Sequence, residues 1–220
     1  SRRAAARRPT PAGVPEAQGG RPEGPADPVP VETTAEDPAT ATPVVEQVSA
    51  RAANDAVPAA ALHEAALEGR LEEVRAALAS GTDVHAVDEG QRTALMYASF
   101  NGHTMVVDAL LRAGARVDDR DTDGRTPLMF ASTGSFLPTV QLLVENGAEI
   151  NAVDGGEHWS PLMFAAGEGQ DDVVAYLLEQ GADPTLRDTD NDSAASFAAQ
   201  RGHGALARLL NEAEAAFREP

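Results

Sequence analysis

Carboxylates are the side chains of this sequence whose spacing could do chemistry. Residues 119–124, DRDTDG, place three aspartates at alternate positions, as the first half of a calcium-binding loop does, and residues 188–192, DTDND, repeat this more weakly. A loop of that kind also needs a bidentate glutamate at its twelfth position. Phe130 and Ala199 stand there instead, so the sequence predicts turns at both segments and no metal site.

The other reactive residue types form no catalytic set. The chain has no cysteine, which excludes disulfides and thiolate chemistry. None of its histidines is spaced from another as zinc ligands are, and it has no glycine-rich phosphate loop or nucleophile elbow. Its many carboxylates do not mark a pocket. We therefore predict a protein that is not an enzyme and needs no cofactor.

Composition divides the chain into two regions. Residues 1–58 hold ten of the fifteen prolines and have no hydrophobic period. Such a stretch cannot bury enough apolar surface to offset its ordering entropy, so we predict a disordered Pro/Ala-rich tail or linker. It has six arginines and eight acids, whereas residues 59–220 have eleven arginines and 27 acids, a net charge of −16. The second region thus carries nearly all of the total charge of −18.

The acidity limits the classes of partner. Nucleic acids and anionic membrane surfaces need a basic patch, so we predict neither as a partner. No apolar run approaches the roughly 18 residues of a membrane span, which predicts no membrane insertion. The charge either serves solubility alone or attracts a protein with a basic surface, and both interpretations stay open. We expect a monomer.

Short motifs recur along the second region with an almost constant period. The segments 93–95 (TAL), 126–128 (TPL), 160–162 (SPL) and 193–195 (SAA) are separated by 33, 34 and 33 residues. A Gly-Thr or Gly-Ala pair recurs at separations of 33, 33 and 34 residues. A fixed period of this length indicates a stacked solenoid, in which shared residues specify the fold. Function is therefore expected in the residues that differ between repeats.

Residues 121–153 illustrate one unit. After a turn, Thr126 is a candidate helix N-cap and Pro127 stands at the first helical position, where its missing N–H costs nothing. A second helix carries Leu143 on its inward face, and Gly147 ends it as a left-handed residue. Neither helix reaches the ~12 residues needed for marginal stability alone, so the units must stabilise one another.

These residues resemble a known family. TALMYAS, TPLMFAS and SPLMFAA, with NGHTMVVDALLRAGARV and EGQDDVVAYLLEQGADP, are similar to the ankyrin repeat, whose fingerprint contains T-P-L-H-x-A. The resemblance covers residues 59–217 and implies an all-α repeat solenoid, an ankyrin repeat stack with short β-hairpin fingers. It also implies non-catalytic protein recognition through a concave face formed by the first helices. Five repeats are expected, at about 59–87, 88–120, 121–153, 154–187 and 188–217.

Three departures from the pattern stand out. The family's helix histidine is replaced by Met96, Met129 and Met163, a substitution that favours packing. Repeat three has the altered loop STGSFLP between its helices, which either repacks locally or marks a functional loop. Repeat four has one extra residue in its turn, which brings His158 and Trp159 to a finger. Trp159 either contacts a partner or folds back onto its own repeat.

The final helix is expected to end the stack with one polar side. It would direct Glu214 to solvent and group five apolar side chains on its other side: Leu206, Leu209, Leu210, Ala213 and Phe217.

We predict a protein–protein interaction module, acting as an adaptor, scaffold or regulator, that uses first-helix positions and finger tips. Phe100 and Trp159 are the expected apolar anchors, and charged residues would form the rim. The candidate partner-binding residues are Glu89, Arg92, Phe100, Asn101, Thr122, Asp123, Arg125, Thr133, His158, Trp159, Glu168, Asp190, Asp192, Gln200 and Arg201.

Two other functions remain open. The chain begins with Ser1, which suits a regulatory fragment of a larger enzyme or transporter whose active domain lies upstream of residue 1. An inert spacer or self-assembling scaffold is the second alternative. The sequence fits a cytoplasmic location and equally a bacterial periplasmic one with an N-terminal tether.

Overall fold

The computed structural model describes residues 59–218. The predicted tail, residues 1–58, lies outside the described residues. Within residues 59–218 no helix is long and apolar enough to cross a lipid bilayer.

Ten α-helices build the described part of the chain, and two fall in each of the five predicted repeat intervals. The first pair is α1, residues 59–67, and α2, Leu71–Ala79. The remaining helices are α3 (Ala94–Phe100), α4 (Thr104–Arg112), α5 (Pro127–Ala131), α6 (Leu137–Glu145), α7 (Pro161–Glu168), α8 (Asp171–Glu179), α9 (Ala194–Gln200) and α10 (Gly204–Arg218).

Four first helices begin at the repeated threonine or serine, as predicted. Thr93, Thr126, Ser160 and Ser193 have extended backbones, and each side-chain oxygen accepts the backbone N–H three residues later. This bond satisfies a donor that a helix start otherwise leaves free.

The repeated methionines complete these helix starts. Met129 and Met163 are buried, and each sulfur accepts the backbone N–H of the preceding cap residue, Thr126 or Ser160, at 3.4 Å. Met96 is buried at the equivalent position of repeat two. The substitution at the family's histidine position therefore serves packing and capping.

The helices stack in two rows. The first helices α3, α5, α7 and α9 pack each on the next, and α2, α4, α6 and α8 form a second row behind them. Buried leucines and valines of both rows join into one continuous core. Because no helix within residues 59–218 is longer than fifteen residues, this interrepeat burial provides the stability that isolated helices lack. The predicted helical repeat stack is confirmed. Within residues 59–218 the fingers are hydrogen-bonded turns, and one isolated β-bridge joins Val87 and Thr93.

The altered loop of repeat three is explained by repacking. His103 and His203 lie against Gly69 and Gly169, the loop glycines of their preceding repeats. Phe136 takes the same place against Gly102, where an added Cβ would stand 2.2 Å from the ring. Phe136 is thus the counterpart of the loop histidines, and STGSFLP is a variant of the same interrepeat contact.

The last helix differs from the expectation. Leu206 and Leu210 are buried, but Leu209 and Phe217 are 43% and 55% exposed. Leu206 and Leu210 belong to the continuous core, and the neighbouring sector of α10 is left open. Glu214 is not directed to solvent: it accepts from Arg187 and lies 2.7 Å from Arg218, and so ties the helix to the lead-out of repeat four.

Candidate functional site

Each finger is a turn that begins at an aspartate. The backbone N–H of Asp88, Asp121 and Asp188 bonds to the carbonyl four residues later at 3.0–3.1 Å, and that of Asp154 reaches one residue further, to Trp159. The same carboxylates accept backbone N–H groups from inside their turns. They therefore hold the turns together. Among residues 59–218 no three His, Cys, Asp or Glu side chains gather as metal ligands.

Two of these aspartates have opposite pKa shifts. Burial alone would raise the pKa of Asp88, but hydrogen bonds from Tyr97 and from the N–H groups of Arg92 and Gly90 outweigh it and lower the pKa. The Tyr97 hydroxyl donates to Asp88 Oδ2 at 2.5 Å. At Asp154 burial dominates and raises the pKa, although four backbone N–H groups of the longer turn oppose it.

One position in each finger has a left-handed backbone. Gly124 supplies it in repeat three, but Gln91, His158 and Asn191 adopt φ of 58°, 62° and 65° at the matching places. Non-glycine residues rarely adopt this conformation. All three side chains are exposed at the finger tips, so the fold displays polar groups where glycine would fit with less strain.

Neighbouring fingers are joined by backbone hydrogen bonds. The N–H of Thr122 bonds to the carbonyl of Gly90 at 2.9 Å, and that of Gly155 to the carbonyl of Asp123 at 2.8 Å. In the longer turn the acceptor moves one place, to Glu157, which accepts from Thr189 at 3.0 Å. The tips therefore form one connected edge rather than separate loops.

An aromatic row lies under the fingers. Tyr97, Phe130, Phe164 and Phe197 occupy the same position of four successive first helices. Arg125 covers Phe130, with its guanidinium carbon 5.2 Å from the ring centroid, and Phe100 meets Phe130 edge to face at 6.2 Å. Arg125 of the finger and Phe100 of α3 thus shield Phe130.

Trp159 links repeats four and five. Its ring meets Phe164 and Phe197 edge to face, at 5.5 and 5.4 Å between centroids, and its indole N–H donates to Asp188 at 3.2 Å. The side chain is half-buried. Of the two sequence interpretations, the structure gives the tryptophan a packing role and extends it beyond its own repeat.

Several predicted site residues make hydrogen bonds or ion pairs with other residues of the fold. Asn101 donates to the carbonyl of Leu67 at 2.7 Å, and the Thr133 hydroxyl donates to the carbonyl of Phe130 at 2.8 Å. Arg125 pairs with Asp123 and, at 3.0 Å, with Asp121.

Arg92 and four predicted residues of the last two repeats also contact polar or charged side chains. Arg92 lies 3.9 Å from Asp121, and Glu168 lies 3.5 Å from Arg201. Gln200 donates to Asp192 at 2.8 Å.

The remaining predicted residues lie at the surface. Glu89, Thr122, His158 and Asp190 are exposed along the finger edge, and Phe100 is half-buried at the end of α3. Sequence reasoning missed Gln91 and Asn191 beside them. A comparison of each turn with the Asp-Gly of repeat three could have found both, because Gly124 marks the left-handed position.

Comparisons with known proteins agree with the repeat pattern. A family model described as ankyrin repeats in three copies matches residues 62–154 and 137–218. Ankyrin repeat family A protein 2 of Mus musculus is 47% identical over 47 residues, which is 21% of this chain and 15% of that protein. Ankyrin repeat protein nuc-2 of Neurospora crassa is 36% identical over 66 residues, covering 30% and 6%.

A third relative is named a probable E3 ubiquitin-protein ligase, from Oryza sativa subsp. japonica. It is 41% identical over 51 residues, which covers 23% of this chain and 10% of that protein. The matches thus span at most 15% of the length of these three relatives.

Proposed function

Because this chain belongs to the ankyrin repeat family, whose repeats generally bind other proteins, we propose that it is a non-catalytic interaction module. Its partner would lie along the finger edge and the row of first helices. Adaptor, scaffold and regulator are all uses of such a module.

The connected finger edge carries this proposal. Its backbone is held by bonds between neighbouring turns, so its exposed side chains stand in a fixed order. Glu89, Thr122, His158 and Asp190 are exposed side chains of different types along this edge, and the shared motif residues beneath them are buried. A rigid backbone that presents varied side chains binds without a large ordering cost.

Phe100 is the proposed apolar contact beside this edge, because its ring is half-buried against Phe130. Trp159 supports the edge from below through its bonds to repeat five. A basic partner would suit the fingers, since acids outnumber bases among the exposed tip residues.

The proposal can be tested with variants that leave the fold intact. Proteins captured by the wild-type chain would be identified, purified and titrated against Glu89→Ala/Thr122→Ala/Asp190→Ala, with Glu72→Ala on α2 as the matched surface control. We expect the triple variant to weaken binding at least about tenfold and the control to leave it unchanged. Equal affinity of both variants would contradict a finger-edge site.

The regulatory-fragment alternative has one observation in its favour. The matches span small parts of longer relatives, one of which is named a ligase. Sequencing of the reading frame before Ser1 tests it: an encoded catalytic or transport domain would support this alternative, and a frame without one would remove it.

A further inference from the structure

The second helices of repeats two to five carry a stripe of exposed and half-buried apolar side chains. Leu142, Tyr176 and Leu209 stand at the same position of α6, α8 and α10, and Met105 and Pro138 lie one turn earlier on α4 and α6. Met105 is 62% and Leu209 43% exposed, Pro138 is exposed, and Leu142 and Tyr176 are half-buried. We call these five residues the second-helix stripe.

Helix stability does not explain the exposed Met105. Glu72 on α2 and Asp172 on α8 occupy the position held by Met105 and Pro138, and acids in a first helical turn are favoured by the helix dipole. The first turns of α4 and α6 have no acid, and their N-caps make no side-chain bond. Met105 is therefore an exposed apolar residue at a place where an acid would stabilise the helix.

The charged residues around the middle of the stripe are acidic. Residues 126–186 contain nine acids and no arginine or lysine. Asp172 and Glu179 flank Tyr176 on the same helix face, and Glu145 stands one turn beyond Leu142. In the described part of the chain none of these three acids is paired, whereas Asp108 on α4 lies 2.9 Å from Arg112 and Glu72 2.9 Å from Arg75.

We propose that the second-helix stripe docks a basic amphipathic helix of another protein. Its apolar side chains would cover the stripe, with Leu142 and Tyr176 at the centre and Met105 and Leu209 at the two ends. Its arginines or lysines would pair with Glu145, Asp172 and Glu179. Neighbouring packed helices lie about 8–10 Å apart, and residues seven apart on a helix are about 10 Å apart, so a partner helix laid across α4, α6, α8 and α10 can place an apolar side chain on each of them.

Charge selects this occupant over a second copy of the chain. The described residues carry 11 arginines and 26 acids, 11 − 26 = −15, so two copies facing each other would bring unpaired acids together. The stripe is separate from the finger edge, because it lies on the other row of helices. The proposal therefore does not depend on a partner at the fingers.

A defined peptide tests the proposal. The probe is a fluorescein-labelled helical peptide of leucine and lysine with all leucines on one face, and its control is a scrambled peptide of the same composition. Fluorescence anisotropy should show binding of the amphipathic peptide at least about tenfold tighter than of the scrambled one. Equal binding of both, or no binding of either, would overturn the docking site.

Two protein variants locate the peptide. Glu145→Gln/Asp172→Asn/Glu179→Gln should weaken binding at least about tenfold, whereas the charge-matched Glu64→Gln/Glu72→Gln/Glu73→Gln should change it less than about twofold. Equal losses would show that bulk charge alone attracts the peptide, and would overturn the proposal.

Met105→Gln/Leu209→Gln tests the apolar contact, because both side chains are so exposed that their replacement should leave the fold intact. This variant should also bind the amphipathic peptide more weakly. An unchanged affinity for this variant would overturn the apolar contact. If only the finger variant Glu89→Ala/Thr122→Ala/Asp190→Ala lost binding, the peptide would bind at the fingers. That result would overturn the docking site on the second helices but would leave the proposed function standing.

Discussion

Single residues in the loops between helices determine how closely one repeat fits the next. Gly102 has φ of 69°, and its missing Cβ leaves room for the ring of Phe136. We expect Gly102→Ala to lose about 1–2 kcal/mol from the left-handed backbone and a further ~1–3 kcal/mol from overpacking. Urea unfolding followed by circular dichroism measures the loss.

Gly202→Ala is the matched control for that prediction. Gly202 has φ of 89° but no atom within 4 Å of an added Cβ, so only the backbone contribution should be lost. Equal destabilisation by both variants would show that Phe136 does not occupy the space beside Gly102.

A buried hydroxyl offers a second prediction at this scale. Ser99 is fully buried and its oxygen has no hydrogen-bond partner among residues 59–218, whereas the equivalent Ser132 donates to the carbonyl of Leu128 at 2.7 Å. An unsatisfied buried polar group costs about 1–3 kcal/mol. Ser99→Ala should therefore stabilise the protein by ~1 kcal/mol relative to Ser132→Ala, as measured from urea midpoints. A less stable Ser99→Ala protein would indicate an unrecognised bond.

Among the structural elements, the finger turns should respond to pH in opposite directions. The lowered pKa of Asp88 contributes stability above the ordinary pKa of aspartate, and this is lost as pH falls through the folded value. The raised pKa of Asp154 has the reverse sign, because the folded state then binds a proton more readily than the unfolded state and gains stability on acidification.

Asparagine substitutions should distinguish the pH dependence of the Asp88 turn from that of the Asp154 turn. The destabilisation by Asp88→Asn should be largest near neutral pH and shrink as pH falls below about 4, whereas the effect of Asp154→Asn should become less favourable on acidification. Unfolding free energies between about pH 3 and 7 measure both trends. Parallel trends for the two variants would contradict the assignment of burial as the dominant influence on Asp154.

Local signals made most elements predictable from sequence. Thr126-Pro127 and Ser160-Pro161 place a cap and a proline at adjacent positions, and the observed helices α5 and α7 begin there. The position of Trp159 was not predictable, because its contacts with Asp188 and Phe197 belong to the next repeat. The equivalence of Phe136 to the loop histidines was also hard to predict, because Gly134 stands one position earlier than the loop glycines of the neighbouring repeats.

The charge distribution affects the whole molecule. The lack of arginine and lysine in residues 126–186 leaves nine acids to repel one another in the middle of the stack. We expect a rise in salt from about 0.05 to 0.5 M to increase the melting temperature, because screening weakens this repulsion. Asp172→Asn/Glu179→Gln should reduce the gain. A melting temperature that falls with salt would show that ion pairs, rather than repulsion, dominate.

The six-residue finger of repeat four shows that a finger can be longer without a change in the stacking of the helices behind it. Its backbone still bonds to the fingers on both sides, through Gly155 to Asp123 and through Glu157 to Thr189. The added residue is taken up at the tip, and the helices behind it keep their positions in the two rows. A foreign peptide grafted between Gly156 and Glu157 would consequently be displayed at a fixed height on the molecule, which makes this finger a natural insertion point for engineering.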